Sequence, residues 1–398
     1  MNSVTLISIT GEDQPGLTGS LMSLMAEHGI QVLDIGQAVI HRSLALGLLV
    51  SVPAGSSILK ELLFHVHELN LQASFTDISS DDYERWVNAH GQPRYIVTLL
   101  ARAITAEHIA RIGCVTNKFD LNIEDIKRLS GRLSLTSQTK QDKACIEFSV
   151  RGTVSDPLAV RQEFLVLASE LDVDISFQED TVFRRNRRLV CFDMDSTLIE
   201  GEVIDELAVL AGVGGQVSAI TERAMRGELD FTESLRQRVA LLEGLPESNL
   251  NDVYDRLPIT EGASRLINNL KRVGYRTAIL SGGFTFFGRY LQQKLGIDYV
   301  HANELALKDG KLTGQLTGQV VDGARKASLM AEIAEREHIS LEQVIAVGDG
   351  ANDLPMLSAA GLGIAFRAKP IVQRKAEHAI STLGLDGILY LLGFSDAQ

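Results

Sequence analysis

Three groups of polar residues follow short apolar segments in the C-terminal half of the chain. Each segment has the composition of a strand that is buried on both faces of a parallel sheet. The segments and the residues after them are Leu189–Phe192 with Asp193-Met194-Asp195-Ser196-Thr197, Arg276–Leu280 with Ser281-Gly282-Gly283, and Val344–Val347 with Gly348-Asp349-Gly350-Ala351-Asn352-Asp353. Because open α/β sheets bind ligands at the carboxyl ends of their strands, we expect these residues to converge in one crevice, together with Lys326 from the intervening segment.

These residue types in combination indicate chemistry on phosphate. Taken singly, an aspartate after a strand usually caps a helix, Ser-Gly-Gly usually forms a turn, and a lysine usually lies on the surface. Several carboxylates at one sheet edge repel one another, however, unless a hard divalent cation with oxygen ligands compensates them. Magnesium, a lysine, a hydroxyl group and glycine amides together stabilise the charge of a phosphoryl group.

The elements that must position these residues predict an α/β domain over residues 184–398. Helical segments separate the apolar strands, which is typical of a doubly wound parallel sheet. The mostly helical segment of residues 200–258 is too long for a simple crossover connection. We therefore expect a helical cap inserted over the strand ends.

The N-terminal half shows one pattern twice. Residues 1–86 and residues 87–183 each have the order βαββαβ, which predicts two ferredoxin-like domains. The polar segment Ser79–Pro93 between the two copies is interpreted as a linker.

Composition and charge exclude several classes of protein. Lys and Arg number 38 against 51 Asp and Glu, and the formal net charge of -13 disfavours nucleic-acid partners. No apolar segment is long enough to span a bilayer, and no secretory signal precedes the first apolar run. The three cysteines lack the spacing of a disulfide framework or a zinc site. We expect a cytoplasmic protein that has no membrane partner.

The polar groups resemble the four motifs of the haloacid dehalogenase (HAD) superfamily, in the same order. Asp193-Met194-Asp195-Ser196-Thr197 is similar to motif I, Ser281 to motif II, Lys326 to motif III, and the segment from Gly348 to Asp353 to motif IV. Finer similarity points to the phosphoserine phosphatases within that superfamily. It includes Glu202, Ala224–Phe231, Arg238, Ser281–Phe284 and Asp309–Gly314, and the resemblance covers Arg188 to about Leu392.

This resemblance implies a Mg²⁺-dependent phosphatase that hydrolyses O-phospho-L-serine through an aspartyl-phosphate, the final step of serine biosynthesis. It implies that Asp193 is the nucleophile and Asp195 the general acid and base. The implied metal ligands are Asp193, the backbone carbonyl of Asp195, and Asp349, while Asp353 orients Lys326 or a metal-bound water. The implied substrate-binding residues are Glu202 for the ammonium group, Arg238 for the carboxylate, Met225 and Phe231 for the apolar part, and Ser281, Gly282, Lys326 and Asn352 for the phosphate.

The duplicated N-terminal domain resembles the ACT domains, which sense small molecules of amino-acid metabolism. The turn from Gly11 to Leu17 is similar to their ligand-binding turn, whereas the second copy has Arg102-Ala103-Ile104-Thr105 in that place. The resemblance implies an L-serine effector bound by Asp13, Gly16 and Asp34 of the first domain. It also implies a structural and dimerising role for the second domain and a homodimeric enzyme.

Two other enzyme classes of the same superfamily fit less well, and two alternatives stay open. A haloacid dehalogenase needs no second acid at the position of Asp195, and a P-type ATPase carries Lys-Thr-Gly-Thr after its nucleophile. Transfer of the phosphoryl group to another hydroxy amino acid, such as homoserine, uses the same aspartyl-phosphate. A catalytically inactive amino-acid sensor is the second alternative, although every catalytic position is filled.

Overall fold

The computed structural model of the chain describes residues 2–89, 91–132 and 143–396. It contains two compact units, Met1–Gln92 and Pro93–Gln398. A search of the described residues finds no helix whose length and apolar character would let it cross a membrane.

The first unit is a ferredoxin-like domain with one additional helix. Its antiparallel sheet has the strand order β2-β3-β1-β4. The buried side chains of β3 alternate along the strand and face the helices, as the period of two in a half-buried strand requires. The elements are β1 (Ser3–Glu12), α1 (Leu17–Glu27), β2 (Gln31–Ile40), β3 (Ser43–Val52), α2 (Ile58–Glu68), β4 (Gln72–Ile78) and α3 (Ser80–Ala89).

Helix α3 occupies most of the segment that the sequence analysis interpreted as a linker, and that interpretation is wrong. Ser79 begins the helix, because its Oγ accepts a hydrogen bond from the amide of Asp82 at 3.1 Å. Tyr83 and Trp86, at helical spacing, lie beside the face of the sheet that α1 and α2 leave open. The helix therefore belongs to the first unit, which extends to Gln92.

The second unit begins with a repeat of the same fold. Its first sheet has the order β6-β7-β5-β8, which matches the order of the first unit strand for strand. This arrangement confirms the prediction of a duplicated ferredoxin-like fold. The elements are β5 (Arg94–Ala101), α4 (Ala106–Lys118), β6 (Asn122–Arg128), β7 (Ala144–Arg151), α5 (Pro157–Leu171) and β8 (Asp174–Glu179).

The second repeat is fixed to the α/β domain that follows it by buried polar contacts. The carboxylate of Asp174 accepts hydrogen bonds from the backbone amides of Ser381 and Thr382, at 2.8 and 2.9 Å. Arg184, which is completely buried, pairs with Glu147 of β7. Breaking such buried contacts leaves unpaired polar groups, which agrees with the two parts forming one compact unit. The predicted division at residues 183 and 184 stays a prediction.

The α/β domain follows the alternation of strands and helices that the sequence predicts. Its elements are β9 (Leu189–Phe192), α6 (Val203–Leu210), α7 (Gly214–Met225), α8 (Phe231–Ala240), α9 (Ser248–Asp252), α10 (Ala263–Arg272), β10 (Arg276–Phe284), α11 (Thr285–Leu295), β11 (Tyr299–Lys308), β12 (Lys311–Thr317), α12 (Gly323–Arg336), β13 (Val344–Gly348), α13 (Leu354–Ala359), β14 (Leu362–Phe366), α14 (Pro370–Gln373), β15 (His378–Ile380) and α15 (Ile388–Leu391).

The sheet of this domain places β9 between β10 and β13. Its order is β12-β11-β10-β9-β13-β14-β15, and the strands are parallel except for β12, which pairs antiparallel with β11. The fold class is therefore confirmed. The antiparallel hairpin of β11 and β12, which turns at Asp309 and Gly310 with positive φ angles of 52° and 71°, was not predicted.

Helices α6 to α9 form the cap, which is joined to the sheet domain by two connections. These connections pair with each other through a bridge between Ile199 and Ile259. The amide of Glu200 donates to the carbonyl of Pro258 at 2.9 Å, and the amide of Thr260 donates to that of Leu198 at 3.0 Å. We call the paired segments 198–202 and 257–261 the hinge connections.

Candidate active site

The strand order brings the three predicted polar groups to one sheet edge. Because β9 is flanked by β10 and β13, the residues at the carboxyl ends of these strands are neighbours, and the amide of Asp193 donates to the carbonyl of Val347 at 2.8 Å. They open into a cavity of about 110 Å³ between the sheet edge and the cap. The predicted site residues that line the cavity are Asp193, Asp195, Glu202, Phe231, Arg238, Gly282, Asp349 and Asn352.

Lys326 lies below the cavity as a completely buried cation. Its ammonium group lies 2.9 Å from Oδ1 of Asp193 and donates to Oδ1 of Asp353 at 2.7 Å. Although burial favours loss of its proton, these two carboxylates raise the pKa of Lys326, so the side chain stays charged. Asp353 also accepts from the amide of Gly350 through Oδ2, at 3.0 Å. Both oxygens of Asp353 are thereby occupied, and Lys326 is fixed beside Asp193.

The carboxylates around Asp193 form a donor set that fits a divalent cation. Oxygens of Asp193, Asp349 and Asp353 lie within 4.8 Å of one another. Burial, followed by the charges of Asp193 and Asp353, raises the pKa of Asp349 to about 8. Thr197 orients Asp349 by donating to its Oδ1 at 3.1 Å. The acids therefore outnumber the compensating charge of Lys326, which is the condition under which an oxygen-ligated cation binds.

Asp195 lies two residues from Asp193 and has a different hydrogen-bond partner. The amide of Val203, at the start of α6, donates to its Oδ1 at 2.9 Å. Burial, followed by the charges of Glu202 and Asp193, raises the pKa of Asp195 well above its usual range. A raised pKa favours the protonated form of a carboxyl group, which is the form that general acid catalysis requires.

Two glycines let the backbone of β10 approach the side chains of the site closely. A Cβ atom at Gly283 would lie 2.2 Å from Oδ2 of Asp195, and one at Gly282 would lie 2.6 Å from the ring of Phe231. Only glycine fits such close approaches. Ser281 is completely buried, and its Oγ accepts from the amide of Gly283 at 2.9 Å. The carboxyl-terminal part of β10, where its pairing with β11 is irregular between Leu280 and Phe284, is thus closely packed against Asp195 and Phe231.

Glu202 and Arg238 face the cavity from the hinge and from α8 of the cap. The hydroxyl of Ser196, a residue in the left-handed region with φ 54°, donates to Glu202 at 3.0 Å. Burial and the charge of Asp193 raise the pKa of Glu202. Burial lowers the pKa of Arg238, against the opposing effect of Glu202 and Asp205. A cation and an anion therefore lie on the wall opposite the sheet edge.

Comparison with known proteins identifies the class of enzyme. Residues 190–358 match the family model of the haloacid dehalogenase-like hydrolases, and residues 3–76 match that of the ACT domain. A phosphoserine phosphatase of Streptomyces coelicolor is 41% identical over 98% of this chain and 92% of its own length. The chain belongs to the phosphoserine phosphatase family. A second member, from Mycobacterium tuberculosis, is 39% identical over 99% of this chain and 94% of its own length.

A solved structure agrees with this assignment at the level of the superfamily. A HAD family hydrolase of Salmonella enterica superposes with a TM-score of 0.65 and 30% sequence identity, over 75% of this chain and 98% of that protein. The phosphoserine phosphatase motifs predicted from the sequence thus lie on a fold of the expected superfamily.

Not every predicted residue of the phosphatase site lies in the cavity. Met225 ends α7 with 65% of its surface exposed, and its sulfur contacts the Lys369 ammonium at 3.7 Å. The structure therefore does not bring Met225 together with Phe231 over the cavity. Its role in closing over the substrate stays a prediction.

The residues predicted for the effector lie on two faces of the first unit. Gly16, with φ 93°, precedes α1, and Asp13 lies in the same turn. Asp34 pairs with Leu49, which alternates with the buried Leu48 and therefore faces away from α1. Asp34 also lies roughly 20 Å along β2 from the end of the strand near that turn. The structure does not bring Asp34 together with Asp13 and Gly16.

Asn303, which orients the backbone at Gly282, was not predicted from the sequence. Asn303 is buried in β11, donates to the carbonyl of Gly282 at 2.8 Å and accepts from the amide of Val321 at 2.8 Å. Its neighbours in the sequence give no motif, because the role depends on how β11 pairs with β10. Thr197 was also missed, although its position after the two acids of motif I was a usable signal.

The raised pKa of Asp349 predicts a pH dependence of stability in the metal-free protein. The native state holds this proton up to about pH 8, whereas the unfolded chain releases it near pH 4. Between these values the native state binds more protons, so stability falls as the pH rises. We expect the free energy of unfolding, measured with urea in EDTA, to be on the order of 2 kcal/mol higher at pH 6 than at pH 8 from this group alone.

Other buried acids also titrate in this range, so the control is the variant Asp349→Asn, which lacks only the group in question. The wild-type protein should show the larger difference between pH 6 and pH 8. Identical pH dependence in the wild-type protein and in Asp349→Asn would contradict the assignment.

Proposed function

We propose that this chain hydrolyses O-phospho-L-serine to L-serine and phosphate in a Mg²⁺-dependent reaction, the final step of serine biosynthesis. The observation that supports it most directly is the pair of acids on one loop: Asp193 is paired with Lys326, and Asp195 is held by the amide of Val203 with its pKa raised. In-line displacement at phosphorus needs a nucleophile and an acid at opposite ends of the reacting bonds.

The first step transfers the phosphoryl group to the protein. Oδ1 of Asp193 accepts from the amide of Met194 at 2.7 Å and lies beside Lys326, which leaves Oδ2 for attack on phosphorus. As this bond forms, the bond from phosphorus to the serine oxygen breaks. Asp195 gives its proton to that oxygen, so L-serine leaves as a neutral alcohol. Lys326 and the amide of Gly282 stabilise the charge on the phosphoryl oxygens.

The second step releases phosphate. Asp195, now a carboxylate, takes a proton from a water molecule that attacks the phosphorus of the aspartyl-phosphate. The bond from phosphorus to Asp193 breaks, and Asp193 returns to its starting state. Asp195 is protonated again, and the complete cycle consumes one water molecule and releases L-serine and phosphate.

Asp193 and Asp349, with the backbone carbonyl of Asp195, are the residues that we propose to hold Mg²⁺. A bound magnesium ion would supply compensation for the negative charge of the phosphate and of the carboxylates. Asp353 is the less suitable ligand of the converging acids, because Lys326 and Gly350 already occupy its two oxygens. This arrangement favours its predicted role in orienting Lys326.

The walls of the cavity account for the choice of substrate. Phosphoserine carries an ammonium and a carboxylate next to its phosphate ester. We assign the ammonium to Glu202 and the carboxylate to Arg238, whose planar guanidinium matches a carboxylate with two hydrogen bonds. Phe231 packs against Gly282 and covers the apolar carbons of the substrate between its ammonium and phosphate groups.

The test of the proposed function is an assay of phosphate release from L-phosphoserine with Mg²⁺. We expect Asp193→Asn to reduce kcat by about 10³-fold or more while its thermal unfolding stays similar, because an amide is a poor nucleophile. Substantial turnover by the purified variant would contradict the covalent mechanism. Adding homoserine to the wild-type assay and measuring phosphohomoserine separates hydrolysis from transfer to another acceptor.

Arg238→Lys tests how the substrate carboxylate is recognised. Lysine keeps the charge but loses the two-pronged geometry, so we expect KM for phosphoserine to rise roughly 10–100-fold. KM for p-nitrophenyl phosphate, which has no such carboxylate, should change less than about threefold. Equal losses on both substrates would mean that Arg238 serves the phosphate or the fold instead.

We also infer that the first ACT domain binds L-serine as a feedback inhibitor and that the enzyme is a homodimer. The match to the ACT family and the left-handed glycine at the start of α1 support an amino-acid site at the turn of Asp13 and Gly16. Backbone amides at a helix N-terminus favour a carboxylate. The position of Asp34 on the other face of the sheet argues against its predicted part in this site.

The effector proposal is tested with Gly16→Val in the full chain, because valine strains a left-handed position. We expect L-serine inhibition to weaken about 5–100-fold, the range of a coupling of about 1–3 kcal/mol, with the uninhibited rate unchanged. The matched control is Gly29→Val, at another left-handed glycine of the same unit, which has open space around it. Unchanged inhibition in Gly16→Val would contradict the site.

A further inference from the structure

The hinge connections lie between the catalytic acids and the substrate-binding residues of the cap. Glu202, which ends one connection, is hydrogen-bonded to Ser196, and the next residue, Val203, donates to Asp195. A small movement of the hinge therefore changes the distance between the residues that hold the serine part and those that act on phosphorus. Such positioning at about the scale of an ångström strongly affects rate and affinity.

One arginine of the sheet domain contacts both connections. Arg367, directly after β14, has a positive φ of 44°, which is unfavourable for a residue with a side chain. Its guanidinium lies 3.1 Å from Oε2 of Glu261 and 3.5 Å from Oε1 of Glu200. The strained backbone thus places a single cation where it holds the two hinge connections together.

A second arginine reaches the same place from the second ferredoxin-like repeat. Arg102 lies in the loop between β5 and α4 and donates two hydrogen bonds to Glu261, NH1 to Oε1 at 3.0 Å and NH2 to Oε2 at 2.9 Å. This contact, with burial opposing it, lowers the pKa of Glu261. The loop itself is fixed at its end by Thr105, whose side chain caps α4.

The loop that carries Arg102 has a rigid base. The second repeat is attached to the sheet domain through Asp174, and Lys143 next to β7 contacts the buried carboxylate of Asp386. Asp386 lies against Gly262, the residue after Glu261, where a Cβ would approach its carboxylate to 2.2 Å. Glu261 is therefore contacted by the second repeat in a region where the backbone has little freedom to move.

We propose that Arg102 and Glu261 are positioning residues for phosphoserine, through which the second ferredoxin-like repeat sets the orientation of the cap. The role rests on the proposed function. Partly exposed ion pairs contribute little to overall stability, so a conventional structural role would leave little trace when the pair is removed. If the pair positions the cap, its removal disturbs the residues that bind the serine part of phosphoserine. Hydrolysis of a substrate that lacks the serine part is then unchanged.

The experiment compares Arg102→Ala, Arg102→Lys and Glu261→Gln with the control Arg111→Ala in the full chain. Arg111 pairs with Glu170 inside the second repeat, with similar exposure, and within the described part of the chain it makes no ion pair with the hinge connections. We expect Arg102→Ala to raise KM for phosphoserine about 3–10-fold, Arg102→Lys to do so less, and Arg111→Ala to resemble the wild type. Values for p-nitrophenyl phosphate should stay within about twofold. The double variant of Arg102→Ala and Glu261→Gln should be no worse than the more impaired single variant.

A readout independent of activity is hydrogen exchange of the two amides that pair the hinge connections, those of Glu200 and Thr260. Exchange of peptides over 198–202 and 257–261 should accelerate in Arg102→Ala and not in Arg111→Ala. Equal exchange in these two variants, or equal losses on both substrates, would overturn the proposal. A wild-type protein without phosphoserine turnover would refute the proposed function, while the exchange result would still decide whether Arg102 holds the hinge.

Discussion

The repulsion among carboxylates at the end of the central strand is the constraint around which the site is organised. Asp193, Asp349 and Asp353 converge at this edge, and Lys326 supplies the buried positive charge beside them. Burial costs an isolated ammonium group several kcal/mol, so Lys326 is tolerated only because two acids contact it. The acids in turn keep a partial excess of negative charge, which attracts a cation and, with it, a phosphate ester.

This constraint explains why the two aspartates of one loop have different environments. Asp193 contacts Lys326, whereas Asp195 accepts a hydrogen bond from the amide of Val203 at the start of the cap and lies near the charges of Glu202 and Asp193. The difference arises from the direction of the two side chains, because neighbouring residues on a turn face different environments. One short segment thus places two carboxyl groups in different environments, one beside a buried cation and one beside a backbone amide.

The sheet edge could be predicted from the sequence because its determinants are local. Each strand is a short apolar run, and the catalytic residues follow it directly, so the parallel order alone brings them together. Roles that depend on pairing between distant segments could not be predicted. Asn303 acts through the pairing of β10 with β11, and α3 was missed because its apolar side chains are few.

The position of Asp34 shows that the face on which a residue lies cannot be assigned by counting along a strand that contains a bulge. Val32 and Asp34 are two residues apart, so a regular strand would place them on the same face. The register shifts between them, however, and Val32 pairs with Val50 while Asp34 pairs with Leu49, on the opposite face. A bulge of this kind exchanges the two faces for every later residue, and alternation of residue types cannot locate it in a strand as exposed as β2.

Helix α3 gives the protein an optical property that separates its two units. Trp86 is the one tryptophan in the chain, and it lies in this helix against the open face of the first sheet. Light absorbed selectively by tryptophan is therefore emitted from the N-terminal unit alone, and the phosphatase unit contributes only tyrosine. Unfolding of the N-terminal unit can thus be followed by its fluorescence while catalysis is recorded separately in the same cuvette.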